Sequence, residues 1–295
     1  MTLADHDMRD ATGTDALSAG MSRLRAGLER LGSVVVAFSG GADSAFLARV
    51  ATDVLGSARA MCITAVSPSL APEELADCAA LAEEWGLQWR AVQSAELADP
   101  AYVANGTDRC YHCKSALMDA VGAVLAAGED TATPLAGPTV VLGVNVDDLG
   151  DHRPGQRAAA ERGARFPLVE AGLTKADVRA LSRGLGLRTW DKPAAACLAS
   201  RLPYGTPVTV STLSSVAAAE SALRALGFTR LRVRHYGDLA RVELHADDLA
   251  VAVARRDRVV AAVRAGGYRY VTLDLEGLRS GNLNAAAGVG EGGTS

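Results

Sequence analysis

The 295-residue chain predicts an α/β fold, a doubly wound parallel sheet followed by a smaller C-terminal α+β unit. Three observations carry this. Short apolar runs at 34–38, 60–66, 87–92 and 139–144 alternate with helical stretches such as 72–85, the rhythm of a parallel sheet wrapped by helices. The first run meets a glycine-rich turn and then a helical pattern, the arrangement that puts ligands at the carboxyl ends of strands. After Pro193 the rhythm changes, and helices and strands of a second unit follow.

Taken in order, residues 1–19 lack apolar periodicity and are rich in Asp, Thr and Ala, so a disordered arm is expected there. The run Val34-Val35-Val36-Ala37-Phe38 reads as a buried strand, and Ala45 through Val50 as the helix after the turn. The Pro- and Gly-bearing stretch 202–207 separates the two units. Beyond it we expect a helix over 213–226, strands at 230–235 and 240–245, a helix over 248–265 and a strand at 268–273. The tail from 285 again lacks a pattern. These readings give domains at 20–200 and 201–284 flanked by unstructured ends, with no internal repeat of fixed period. Such a length suits one large core or a large and a small one.

Composition narrows the classes. Apolar residues make up 49% and charged residues 22%, the balance of a soluble globular protein. A net charge of −4 and a pI near 5.8 argue against nonspecific nucleic-acid binding. No apolar stretch approaches the ~20 residues of a membrane-spanning helix, and the N-terminus lacks the basic start of a signal peptide, so a cytoplasmic protein without membrane association is expected. In that compartment Cys62, Cys78, Cys110, Cys113 and Cys197 are not a disulfide framework, and any spaced pair points to metal or redox work.

Ser39-Gly40-Gly41-Ala42-Asp43-Ser44 stands where the strand turns into the helix. There, backbone N–H groups and a helix N-terminus converge on an anion, and glycines let the backbone approach phosphates closely. The hydroxyls of Ser39 and Ser44 add donors, while Asp43 suits Mg²⁺ or a loop cap. A plain turn with an N-cap is the simpler alternative. The complete hexapeptide after a valine-rich strand favours nucleotide binding, without the Gly-Lys-Ser/Thr ending of a Walker loop.

Cys110 and Cys113 form a C-x-x-C at a helix start, and Cys197 lies in Lys192-Pro193-Ala194-Ala195-Ala196-Cys197-Leu198-Ala199-Ser200-Arg201. Three thiolates can hold a 4Fe-4S cluster with one iron open, or be a redox pair plus a third thiol; spacing does not separate these, and zinc lacks a clear fourth ligand. Cys62 and Cys78 read as small core residues.

Residues 39–44 resemble the S-G-G-x-D-S signature of PP-loop ATP pyrophosphatases, whose members include GMP, asparagine and NAD synthetases and tRNA thiolases. The resemblance implies cleavage of Mg·ATP between the α- and β-phosphates to give an adenylated substrate and pyrophosphate. Further segments are similar to the LarE family of ATP-dependent sulfur transferases: 191–201 with Pro203-Tyr204-Gly205, 145–155, Arg232-Val233-Arg234 with Ala240-Arg241-Val242-Glu243, and 274–281. The similarity spans roughly residues 24 to 284. It implies adenylation of a carboxylate of pyridinium-3,5-biscarboxylic acid mononucleotide and its conversion to a thiocarboxylate, in the making of the nickel-pincer cofactor of lactate racemase. Cys197 falls at the sulfur-donor position, where one-cysteine members sacrifice their sulfur and keep dehydroalanine. The three-cysteine type, matched here by Cys110, Cys113 and Cys197, implies a 4Fe-4S cluster relaying sulfide or another sulfur donor. The family precedent is a homo-oligomer, a hexamer. Leu278 and Asn282 depart from the expected Tyr and Ser.

The remaining site residues follow. Arg232 and Arg234 alternate on a strand and share one face; a solvated face with Glu243 as cross-strand partner is the simpler reading, and the resemblance assigns them to the substrate phosphate. Ser200 and Arg201 follow the donor cysteine and would orient phosphate or substrate, or cap a turn. Glu220 enters by resemblance alone. Asp147 and Asp148 lie at a strand's carboxyl end. The rival classes are a PP-loop tRNA thiolase, which would require a basic RNA track, and an adenine-nucleotide sensor without turnover.

Overall fold

Val34, Val35 and Val36 are stiff, β-branched and wholly buried, and their side chains alternate between two apolar layers. Val34 and Val36 join Leu24, Leu28, Phe46, Leu47 and Leu168, whereas Val35 joins Met61, Ile63, Leu117 and Val121. A strand apolar on both faces belongs in a parallel sheet with helices on each side.

The computed structural model describes residues 3–127, 137–150, 154–193 and 195–279. In chain order its elements are α1 (Leu3–Leu31), β1 (Val34–Ala37), α2 (Ala42–Leu55), β2 (Ala60–Val66), α3 (Pro72–Trp85), β3 (Gln88–Gln93), α4 (Pro100–Val103), α5 (Arg109–Ala127), β4 (Thr139–Leu142), α6 (Pro154–Glu161), α7 (Pro167–Glu170) and α8 (Lys175–Gly184). There follow α9 (Val210–Ala225), β5 (Leu231–Tyr236), β6 (Leu239–Leu244), α10 (Leu249–Ala254), α11 (Arg256–Ala265) and β7 (Tyr270–Leu273). Helix α1 is continuous from Leu3, where the sequence led us to expect an unstructured arm over 1–19; no proline interrupts the segment. The tail expected from 285 lies outside the described residues. Among the described residues no helix is long and apolar enough to cross a membrane.

The chain divides into two compact units, one of Met1–Val66, Glu73–Ser94 and Lys114–Ala195, the other of Ser67–Pro72, Ala95–Cys113 and Ala196–Ser295. The sequence suggested contiguous domains meeting at residue 200. Instead, two early segments belong with the second unit because the chain after Ala196 pairs with them. Leu198 N donates to Ser69 O at 2.8 Å, Gly205 N to Asn105 O at 3.0 Å and Val208 N to Val103 O at 2.9 Å. Tyr102 shares a core with Leu198, Leu202 and Val208.

In the first unit the strands are all parallel, in the order β3-β2-β1-β4. The chain leaves β1 toward β2 and later returns on its other side at β4. Ligands in doubly wound sheets bind at this switch point, beyond the carboxyl ends of β1 and β4.

In the second unit β5 and β6 are antiparallel, with Arg232 opposite Glu243 and Arg234 opposite Arg241, and β7 runs parallel to β6. Helix α9 starts three residues before its expected first residue because Thr209 and Thr212 form a reciprocal capping box. The helix expected over 248–265 is broken at Arg255, whose φ of −105° and ψ of 23° separate α10 from α11.

Candidate functional site

In the first unit, the turn from β1 into α2 carries the predicted phosphate loop. Gly40 has φ +67°, a left-handed conformation that disfavours side chains, and a Cβ there would stand 3.0 Å from Cys78 Sγ. Gly41 caps α2 without any side-chain hydrogen bond, so no side chain caps the positive end of the helix. Ser44 Oγ donates to Gly41 O at 3.2 Å, accepts from Ser39 N at 3.2 Å and lies 3.0 Å from Ser39 Oγ. The two hydroxyls therefore stitch the turn closed.

Asp43 accepts a hydrogen bond from Asn145 Nδ2 at 3.1 Å. Burial raises the Asp43 pKa, the Asn145 bond opposes this, the charge of Asp148 adds to it, and Lys175 and Arg179 pull against it. Asn145 is itself buried, and its Oδ1 has no partner among the described residues. Gly143 packs so closely under the loop that a Cβ would sit 2.7 Å from Ser44 N. Asp148 accepts from Asn145 N at 3.2 Å, and Asp147 from Lys175 N at 2.7 Å, so both acidic residues support the turns beside the loop.

Lys192 Nζ stands 3.8 Å from where a Gly40 Cβ would be, held by Glu74 at 2.8 Å and Asp77 at 2.7 Å. Burial disfavours the ammonium, but Asp77 and Glu74 outweigh it and its pKa is raised. Asn145 and Lys192 drew no individual role from the sequence, and Gly143 was not singled out. The signals were the place of Asn145 just past β4 and a glycine where β4 meets α2, whereas Lys192, in an irregular stretch after α8, carried none.

In the second unit, Arg201, Arg232, Arg234, Glu220, Glu243 and Ser200 come together. Glu220 is wholly buried and takes Arg201 Nε at 2.8 Å, Arg201 Nη2 at 3.1 Å, Arg224 Nη2 at 3.0 Å and Val233 N at 3.0 Å. Glu243, also wholly buried, takes Arg234 Nε at 3.0 Å and Arg241 Nη2 at 2.9 Å. Buried charges persist when paired in this way. Arg201 Nη1 also donates to Ala196 O at 2.7 Å, and Arg234 Nη1 to Ser200 O at 2.8 Å, so both arginines brace the segment around Cys197. Arg232 is half-buried and donates to Arg279 O at 3.1 Å. Burial, then the neighbouring Arg201 and Arg234, lower its pKa, the mark of a cationic patch.

Cys110 and Cys197 are exposed and Cys113 half-buried. Arg109 has Cys197 and Cys110 as electrostatic neighbours, and Tyr102 has Cys197 and Cys113. Among the described residues no three His, Cys, Asp or Glu side chains stand close enough to hold a metal ion. Cys62 and Cys78 are core thiols; burial, then Cys78, pushes the Cys62 pKa up to about 12.

The family model described as NAD synthase matches residues 23–109, which include the phosphate loop. An uncharacterized protein of Synechocystis sp. is 46% identical over 270 residues, 91% of this chain and 98% of the relative. A pyridinium-3,5-bisthiocarboxylic acid mononucleotide synthase of Lactiplantibacillus plantarum is 38% identical over 268 residues, 91% of this chain and 95% of that protein. An uncharacterized protein of Methanocaldococcus jannaschii is 25% identical over 247 residues, 84% and 91% of the two chains. With a PP-loop domain and this identity to the L. plantarum synthase along nearly the whole of both chains, the protein belongs to the LarE family.

Proposed function

We propose that this chain adenylates a carboxylate of pyridinium-3,5-biscarboxylic acid mononucleotide and replaces the adenylate with sulfur, releasing pyrophosphate and then AMP. The name of the L. plantarum relative supports the substrate class. The observation that carries the reading is the turn at 39–44, where a left-handed glycine leads into a helix end without a side-chain cap. That end meets the triphosphate of ATP with backbone N–H groups. A substrate carboxylate oxygen bonds to the α-phosphorus, the bond to the bridging oxygen breaks, and pyrophosphate leaves with the electron pair. Asp43, steadied by Asn145, would hold the magnesium of Mg·ATP, and the Lys192 ammonium, shared with Glu74 and Asp77, stands beside the loop. Charge neutralisation and positioning supply the catalysis.

Sulfur then attacks the acyl carbon and AMP departs. Arg232, beside the paired Arg201 and Arg234, suits the substrate phosphate, with Ser200 bonded to Arg201 and Arg234. Cys110, Cys113 and Cys197 match in ligand type the donor set of a 4Fe-4S cluster: two thiols three residues apart on one helix and a third in a loop. Such a cluster, when bound, supplies an open iron for sulfide. Pyrophosphate release measured with and without the mononucleotide tests the first half. Iron, acid-labile sulfide and the mass of Cys197 after turnover test the second; iron-free protein whose Cys197 has lost hydrogen sulfide would establish the sacrificial route instead.

A further inference from the structure

The segment after Cys197 is tied to the start of α5 by two buried polar residues for which the chemistry above has no use. Asn105 is wholly buried and, among the described residues, is the sole non-glycine with positive φ, at +56°. Its Nδ2 donates to Pro203 O at 2.8 Å and Thr206 O at 2.9 Å, and its carbonyl accepts from Gly205 N at 3.0 Å. Its Oδ1 accepts from Arg109 Nη1, which also donates to Ala199 O at 2.9 Å. Arg109 is 6% exposed, immediately precedes Cys110, and reaches the chain two residues past Cys197. From the other side Ser69 O accepts from Leu198 N, and Ser69 Oγ is hydrogen-bonded to the buried Tyr102 hydroxyl.

A left-handed Asn and a buried guanidinium each cost stability, and an apolar filling would be cheaper if only packing mattered. Such costs persist where a geometry has to be held. We propose that Asn105 and Arg109 are positioning residues that lock the Cys197 segment against the first turn of α5, so that Cys197 is presented to Cys110 and Cys113. The consequence for turnover rests on Cys197 being the sulfur site, whereas the proximity of the thiols does not.

The test uses the full chain, reduced and freed of iron by anaerobic chelation. Dibromobimane bridges neighbouring thiols, and peptide masses identify bridges that contain Cys197. The parent protein is expected to form Cys197–Cys110 or Cys197–Cys113 bridges. Losing charge-assisted bonds in Arg109→Ala, or the side-chain bonds in Asn105→Gly, should cut their yield about tenfold. Single-thiol labelling by monobromobimane and pyrophosphate release should stay at parental rates, and thiocarboxylate formation should fall with the bridges. Arg109→Lys, which keeps charge without the planar fork, should recover only part of the yield. Asn105→Gly retains the left-handed backbone and so remains informative if Arg109→Ala fails to fold. Undiminished bridging in a folded Asn105→Gly or Arg109→Ala protein, or a parent that forms no Cys197 bridge, overturns the proposal. Thiocarboxylate formation by Cys197→Ser would instead overturn the sulfur-site reading and leave the bridging result standing.

Discussion

Gly143→Ala should damage the phosphate loop without replacing any residue proposed to meet ATP. An added Cβ would sit 2.7 Å from Ser44 N, 2.8 Å from Asp43 C and 2.9 Å from Ser44 Cα, all backbone atoms at the start of α2. Ordinary contact begins at 3.4 Å, so the loop and the β4 end must part by about 0.7 Å. Backbone cannot swing aside as a side chain does, and forced overpacking costs ~1–3 kcal/mol. At ~2–4 °C per kcal/mol for a domain of this size, the unfolding midpoint should fall by about 2–12 °C. A misplacement approaching 1 Å costs roughly 100-fold in a positioned reaction, so pyrophosphate release should drop by about 10- to 100-fold. Calorimetry and a coupled pyrophosphate assay read the two effects. Gly122→Ala is the control: it lies exposed on α5 with nothing within 4 Å of its Cβ, and should stabilise the helix by ~1 kcal/mol at full activity. A Gly143→Ala protein with parental pyrophosphate release and midpoint would refute the reasoning.

Glu220→Ala should cost ~3–5 kcal/mol, because it strands a buried guanidinium on Arg201 and leaves Val233 N without its acceptor; a midpoint within 2 °C of the parent, about what ~1 kcal/mol would give, contradicts this. Arg234→Ala should also destabilise, by ~3 kcal/mol, since the buried Glu243 loses the guanidinium that meets both of its oxygens, whereas Arg232→Ala should leave stability within ~0.5 kcal/mol yet weaken the mononucleotide about tenfold or more. Denaturant unfolding and calorimetric titration separate the pair, and equal destabilisation would show that Arg232 also serves the fold. Asp43→Asn should abolish pyrophosphate release while raising the midpoint at pH 7 in the absence of metal. Because burial raises the folded-state pKa of Asp43, its charged form opposes folding above that pKa, and the mutant's gain should vanish as pH falls below the unfolded value of 3.8. A midpoint gain that persists at pH 3 would show a different origin.

The sequence by itself determined the local signals that chemistry imposes on neighbours. The valine run, the Ser39–Ser44 turn and the alternation of strands and helices lie within a few residues of one another, so period and turn composition reveal them. The shared face of Arg232 and Arg234 follows from strand geometry in the same way. Only the tertiary structure decided how the charges divide. Arg234 and Arg201 are buried against Glu243 and Glu220, while Arg232, among the described residues, remains in the patch without a buried carboxylate partner of that kind. It also decided that 67–72 and 95–113 belong with the chain after 196. No spacing announces this, because the bonds from Asn105 and Arg109 to Pro203, Thr206 and Ala199 close over some ninety to a hundred residues. Gly143 shows the same limit. A glycine at a strand end is ordinary in sequence, and only the approach of Ser44 N makes its missing Cβ a requirement.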